Sequence, residues 1–158
     1  MYFQKRKETR IPNYNYGSYN YYFVTICAHN KKCIFGQPNA LNSVGKTAEQ
    51  YLKNISKIYP QVIVDKFVVM PNHIHMILIM GKNISEKNLP DLTRVVGQFK
   101  MAVTKEVHKV RPDLVVWQRS FHDHIIRNQH SYEKIWNYID GNPAKWEEDC
   151  FYITDSKL

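Results

Sequence analysis

The run Gln61-Val62-Ile63-Val64-Asp65-Lys66-Phe67-Val68-Val69-Met70-Pro71-Asn72-His73-Ile74-His75-Met76-Ile77-Leu78-Ile79-Met80 reads as two strands folded back on each other. Residues 61–70 are dense in β-branched and aromatic side chains, Pro71-Asn72 suits a turn or bulge, and residues 73–80 alternate as a half-buried strand does. Upstream, Ser43–Tyr59 places Val44, Ala48, Tyr51, Leu52, Ile55 and Ile58 near helical spacing, with Ser43 as the expected N-cap and Pro60 as the stop. Before it, Gly36-Gln37-Pro38-Asn39 breaks the chain, and Tyr19–His29 reads as a first strand. Downstream of Pro90, residues 91–110 put Leu92, Val95, Val96, Phe99, Val103 and Val107 on one helical face. Leu114–Ile126 is expected as a fourth strand. A third helix over 131–141 gathers Ile135, Trp136 and Ile139, and Gly141 and Pro143 are expected to stop it. The order β-α-β-β-α-β-α predicts an α+β fold: a ferredoxin-like split βαβ unit with an antiparallel four-stranded sheet, helices on one face, and one added C-terminal helix.

The 158 residues, 44% of them apolar, suit one domain with a real core, expected over 19–158 behind a polar, basic N-terminal arm over 1–18. No run resembles a membrane span or a secretory signal, so a cytoplasmic protein without a membrane partner is expected. Cys27, Cys33 and Cys150 form no CxxC pair and are read as reduced, mostly packing residues. The net charge of +8 is unevenly spread: residues 1–40 carry Lys5, Arg6, Lys7, Arg10, Lys31 and Lys32 against Glu8. Tyr14, Tyr16, Tyr19, Tyr21, Tyr22 and Phe23 interleave with these cations. Rings for stacking beside cations for phosphates suit a single-stranded nucleic acid.

Chemistry concentrates in two stretches. On a strand, residues two apart share a face, so His73 and His75 lie side by side while Ile74 and Met76 turn to the core. Two imidazoles so placed can share one divalent cation. A second pair, His122 and His124 around Asp123, lies in Trp117-Gln118-Arg119-Ser120-Phe121-His122-Asp123-His124-Ile125-Ile126-Arg127. It reads more simply as a polar strand edge, with Arg119 and Arg127 suited to phosphate. Near the C-terminus, Tyr138 and Asn142 stand four residues apart, one helical turn, so hydroxyl and amide oxygen could address the same metal. Pro143 disfavours helical dihedrals at the residue before it, which puts Asn142 just past the helix end.

Met70-Pro71-Asn72-His73-Ile74-His75, Trp117-Gln118 with Asp123 and Arg127, and Tyr138-Ile139 with Asn142-Pro143, in that order and spacing, resemble the REP-associated tyrosine transposases. These belong with the single-tyrosine HUH transposases, and the resemblance runs from about Tyr19 to Trp146. It implies a ferredoxin-like core, with His73 and His75 as the metal-binding pair, Asn142 as a third protein ligand, and Tyr138 as the nucleophile. It further implies a divalent cofactor, Mg2+ or Mn2+, a single-stranded or hairpin DNA partner, and a 5′-phosphotyrosine intermediate, in a monomer or homodimer. Lys5, Arg6, Lys7, Arg10, Arg119 and Arg127 are the expected DNA contacts. Two other readings compete: a non-catalytic ferredoxin-like nucleic-acid-binding module, and a metal phosphoesterase using both His-x-His pairs with water.

Overall fold

The computed structural model describes residues 20–81 and 90–153. In chain order these form β1 (Asn20–Cys27), the short strands β2 (Gly36–Gln37) and β3 (Ala40–Leu41), α1 (Ser43–Ile58), β4 (Val62–Val69), β5 (His73–Met80), α2 (Leu92–His108), β6 (His122–Ile126) and α3 (Gln129–Gly141). A 3-10 segment, Pro143–Glu148, follows α3. The arm over 1–18, with Lys5, Arg6, Lys7 and Arg10, lies outside the described residues.

The main sheet is antiparallel in the order β4-β5-β1-β6, the ferredoxin-like arrangement, with the β2-β3 hairpin separate from it. Alternation along each strand divides the sheet into two apolar faces. Tyr22, Val24 and Ile26 of β1 join Ile74, Met76, Leu78 and Met80 of β5 in the main core, where Ala48, Leu52 and Ile55 of α1 and Val95, Phe99 and Val103 of α2 close over them. Each such fully buried aliphatic side chain contributes about 1.5–3 kcal/mol. The opposite face carries a smaller core of Ile77, Ile126 and Ile139, flanked by Tyr21, Phe23, Ile135 and Trp136, and this is where α3 packs. Two helices therefore cover one face and the tyrosine-bearing helix covers the other.

Two local expectations give way to tertiary structure. Asn42, not Ser43, caps α1: its side chain accepts from Gly45 N–H and donates to Ile34 C=O, tying the helix start to the irregular segment before β2. β6 begins only at His122; before it the chain makes a single antiparallel bridge to the end of β1, where Ala28 pairs with Trp117, Val116 C=O accepts from His29 N–H and Gln118 N–H donates to Cys27 C=O. Trp117 Nε1 donates to Lys100 C=O, and Lys100 Nζ donates to Gln118 C=O. α3 ends at Gly141, as expected, with Asn142 as its C-cap. Asn142 keeps helical dihedrals (φ −60°, ψ −42°), and Pro143 opens the 3-10 segment, where its missing N–H costs nothing.

Gly45 sits in the first turn of α1, where an added Cβ would lie 2.1 Å from the Phe35 carbonyl oxygen. Alanine gains about 1 kcal/mol of helix propensity over glycine, but a backbone clash this close forces the helix off the hairpin at about 1–3 kcal/mol. Gly45→Ala is therefore expected to lower the thermal midpoint by several degrees in circular dichroism; an unchanged or raised midpoint would show that propensity wins there.

Candidate active site

β5 delivers His73 and His75 to the α3 side of the sheet, and both are buried (0% and 2% exposed) beneath α3 and the segment after it. Asn72, also buried, fixes the first ring. Its Nδ2 donates to Lys31 C=O at 3.1 Å and Phe151 C=O at 2.8 Å, so its Oδ1 is left to accept from His73 Nδ1 at 2.8 Å. With its proton on Nδ1, His73 presents Nε2 as a bare lone pair, and that atom is buried without a partner. The second ring is held by β1: Thr25, paired with His75 across the sheet, brings Oγ1 within 2.8 Å of His75 Nδ1. The two rings meet edge to face with centroids 4.4 Å apart.

α3 brings the other half. Tyr138 is 42% exposed, and its hydroxyl lies 3.3 Å from His75 Nε2 and 3.3 Å from Asp149 Oδ2. One turn on, Asn142 donates through Nδ2 to Asp149 Oδ2 at 2.8 Å, while its Oδ1 is buried with no partner. The structure thus brings His73, His75, Tyr138 and Asn142 together and adds Asp149. Nitrogens of both imidazoles and a carboxylate oxygen of Asp149 all lie within 4.8 Å of one another. Asp149 is steered by the Phe151 N–H, which donates to its Oδ1 at 2.7 Å, and Phe151 in turn stacks on His73 with centroids 4.5 Å apart.

α3 is fastened at several points. Ile139 is fully buried, Tyr132 donates its hydroxyl to Asp65 at 2.6 Å, and Lys66 reaches both Asp140 and the Trp136 ring. Phe23 of β1 meets the Tyr138 ring edge to face at 6.2 Å. Together these contacts hold the phenol over the imidazole pair.

The electrostatics follow from burial. Desolvation pushes His73 down to about 4, against Asp149, which pulls it up, and with Lys31 adding to the fall. Desolvation and the neighbouring His73 push His75 to about 3. Both rings are neutral at pH 7. Burial, then the Asp149 charge, pushes Tyr138 up to about 12, so its hydroxyl stays protonated. Burial alone would raise Asp149, but the Phe151 N–H, the Asn142 amide and the imidazoles outweigh it and hold the carboxyl below its ordinary value. Two neutral imidazoles, a carboxylate and an amide oxygen are a donor set that suits a divalent cation. Such an ion would satisfy both orphaned lone pairs, so the residues fit a metal.

The remaining expected residues lie elsewhere. His122 and His124 share the face of the imidazole pair but are exposed on β6, with β1 between, about 10 Å away at two strand spacings. One cation cannot join the two pairs. Asp123, between His122 and His124 in the strand, points to the opposite face. Arg119 and Arg127 are exposed. Of the cysteines, Cys27 is buried, whereas Cys33 and Cys150 are exposed rather than packing residues.

Residues 15–142 match the family model for IS200-like transposases. An uncharacterised protein of Haemophilus influenzae is 39% identical over 168 residues, spanning 94% of this chain and 93% of its own. Among solved structures, a REP-associated tyrosine transposase bound to a REP hairpin is similar with a TM-score of 0.60 at 18% identity, over 89% of this chain and 74% of that one. A candidate transposase from Deinococcus radiodurans is similar with a TM-score of 0.54 at 14% identity, over 87% of this chain and 97% of that one. These last two likenesses establish the fold. No helix among the described residues is long and apolar enough to cross a membrane.

Because His73 and His75 are depressed to about 4 and 3 from 6.5, the unfolded chain takes up protons first on acidification. Stability from this pair is whole above about pH 6.5 and falls as pH drops toward the folded values, whereas any loss through Asp149 begins only below its unfolded value of 3.8. In chelator, the thermal midpoint is expected to be lower at about pH 5 than at about pH 7, with a shallower fall in His73→Gln/His75→Gln. Equal slopes in the two proteins would mean that the rings are not held neutral by burial.

Proposed function

We propose that this chain, which belongs to the IS200-like transposase family, cuts single-stranded DNA with Tyr138 as nucleophile and rejoins it through a 5′-phosphotyrosine link. What carries the reading is the conjunction at one point. Two buried acceptors without donors, His73 Nε2 and Asn142 Oδ1, stand in the same cluster as an accessible phenol 3.3 Å from the second imidazole. Buried lone pairs left unmatched cost about 1–3 kcal/mol each, and a site that holds two of them is built for something that accepts electron pairs.

His73, His75, Asn142 and Asp149 would hold a divalent cation, Mg2+ or Mn2+, which would supply Lewis-acid polarisation of the scissile phosphate and stabilisation of charge on its oxygens. The chain's own residues do the rest. Burial keeps the Tyr138 proton in place at neutral pH, and its hydroxyl can donate to only one of two acceptors, His75 Nε2 or Asp149 Oδ2, each 3.3 Å away. The phenol oxygen is thereby aimed between the metal ligands. In the reaction the phenol oxygen forms a bond to phosphorus, the bond from phosphorus to the 3′ oxygen breaks, and the phenol proton ends on that oxygen. The phosphodiester energy is kept in the protein link for rejoining to another strand. A single strand or a hairpin flank suits the shallow, open approach to Tyr138. One structural neighbour is bound to a REP hairpin, and hairpin DNA is accordingly the substrate proposed for this chain. Arg119 and Arg127, with Lys5, Arg6, Lys7 and Arg10, would contact its phosphates.

The deciding experiment is a denaturing gel of protein incubated with labelled, hairpin-flanked single strands and Mn2+. A covalent band is expected with the native protein. Tyr138→Phe should abolish it, a loss of at least about a thousandfold. Binding without cutting by either protein would favour the non-catalytic module, and hydrolysis that survives Tyr138→Phe would favour a water-using phosphoesterase. Asp149→Asn is expected to cut about 10- to 100-fold more slowly, the usual cost of disturbing a carboxylate at a metal site. Mn2+ should also raise the thermal midpoint of the native protein but not of His73→Ala/His75→Ala.

A further inference from the structure

The other end of α3 closes a cavity of about 390 Å3 against the sheet, well away from the imidazoles, with Tyr21, Asp65, Ile79, Arg127, Gln129 and Tyr132 in its wall. That volume lies within the range of small-molecule sites. Its wall has three kinds of surface. Tyr21 and Tyr132 stand edge to face, centroids 5.9 Å apart and planes at 84°, so a flat ligand lying on one ring meets the rim of the other. Ile79 and Ile126 provide an apolar floor. The polar wall is Asp65, which lies where the pairing of β4 with β5 shifts register between Val64 and Lys66. A strand irregularity of this kind re-aims a side chain, and here the Asp65 carboxylate reaches Tyr132. A carboxylate accepts several hydrogen bonds, so this contact leaves it capacity for a ligand's N–H groups. Arg127, exposed, brings a permanent positive charge to the cavity.

Position gives the cavity its meaning. Tyr132 and Tyr138 are six residues apart on one helix, about 9 Å along its axis. That distance is two or three stacked nucleotides at about 3.4 Å each, and fewer if the strand is stretched. We propose that the cavity is a base-reading subsite. An unpaired nucleobase up to three positions from the scissile phosphate stacks on one of the Tyr21 and Tyr132 rings, its rim against the other, and turns its N–H edge to Asp65, while Arg127 holds an adjoining phosphate. The subsite rests on the single-stranded DNA reading of the Tyr138 site and gives that site a means of choosing where the strand is cut. Cytosine, adenine and guanine offer an N–H edge to the carboxylate, and thymine offers the least.

The test uses the full chain in chelator, so that binding is read apart from cutting. Fluorescence anisotropy measures the affinity for a labelled hairpin-flanked single strand and for a series in which one nucleotide at a time on either side of the scissile phosphate is abasic. For the native protein one position is expected to weaken binding by about tenfold, the scale of a lost base stack, with its neighbours near twofold. In Asp65→Asn and in Arg127→Ala, both of which replace surface groups, the penalty at that position should shrink to near twofold. The proposal is overturned if no position stands out, if the penalty persists unchanged in both variants, or if the native protein does not bind these strands. A standing positional penalty in a protein that forms no covalent Tyr138 product with Mn2+ would instead leave the subsite in place and remove the cleavage reading.

Discussion

The side-chain amide of Asn72 is the constraint on which the site depends. Its nitrogen is committed to two backbone carbonyls, one before the β2-β3 hairpin and one at the far C-terminal end, so its oxygen can only accept. That single orientation decides which nitrogen of His73 carries a proton and which is left open. The same amide ties Phe151 down over the ring, and the Phe151 N–H then positions Asp149. A chain of four hydrogen-bonding decisions thus starts at a turn residue in the middle of the sequence and ends with a carboxylate at its far end. The step between Asn72 and His73 is buried, so there no water can stand in as a partner.

The imidazoles and the phenol are displaced for one reason. Both imidazoles resist protonation and the phenol resists ionisation, because burial taxes their charged forms, whereas Asp149, held by the Phe151 N–H and the Asn142 amide, keeps its charge. A bound cation would favour electron-pair donors and ease loss of the phenol proton, acting against the second departure and drawing on the first. The protein thus keeps both rings neutral and the Tyr138 hydroxyl protonated until charge is brought in from outside.

Much of this was legible in the sequence. The bounds of β5 fall where the alternation around His73 and His75 places them, and all six apolar positions expected on α2 are buried. The period-3.6 pattern survives because each of α1 and α2 faces one core, and the period-two pattern because alternate residues of β1 and β5 enter the two cores in turn. The four-residue interval between Tyr138 and Asn142 also holds, since the chain stays helical through the residue before proline. What could not be read was set by contacts distant in sequence. Asp149 is one of several acidic residues near the C-terminus, and nothing in its spacing marks it. Its place comes from Phe151 packing on His73. The apolar run at 114–118 has strand composition, but it keeps a single bridge to the end of β1, at Trp117, whose indole is bonded to α2. The register shift at Asp65 has no signature, because an alternating run with one extra residue looks like an ordinary strand.

The helical continuity at Asn142 makes the end of α3 a single rigid lever carrying both the Tyr138 hydroxyl and the Asn142 amide. Any rocking of that lever that withdraws the phenol from His75 also withdraws the amide from Asp149, so the two departures are mechanically interlocked. If Tyr138 attacks and Asn142 holds an ion as proposed, a DNA-laden tyrosine could not swing toward a new strand with the metal shell whole, and strand exchange would loosen the ion at each crossing and tighten it on arrival.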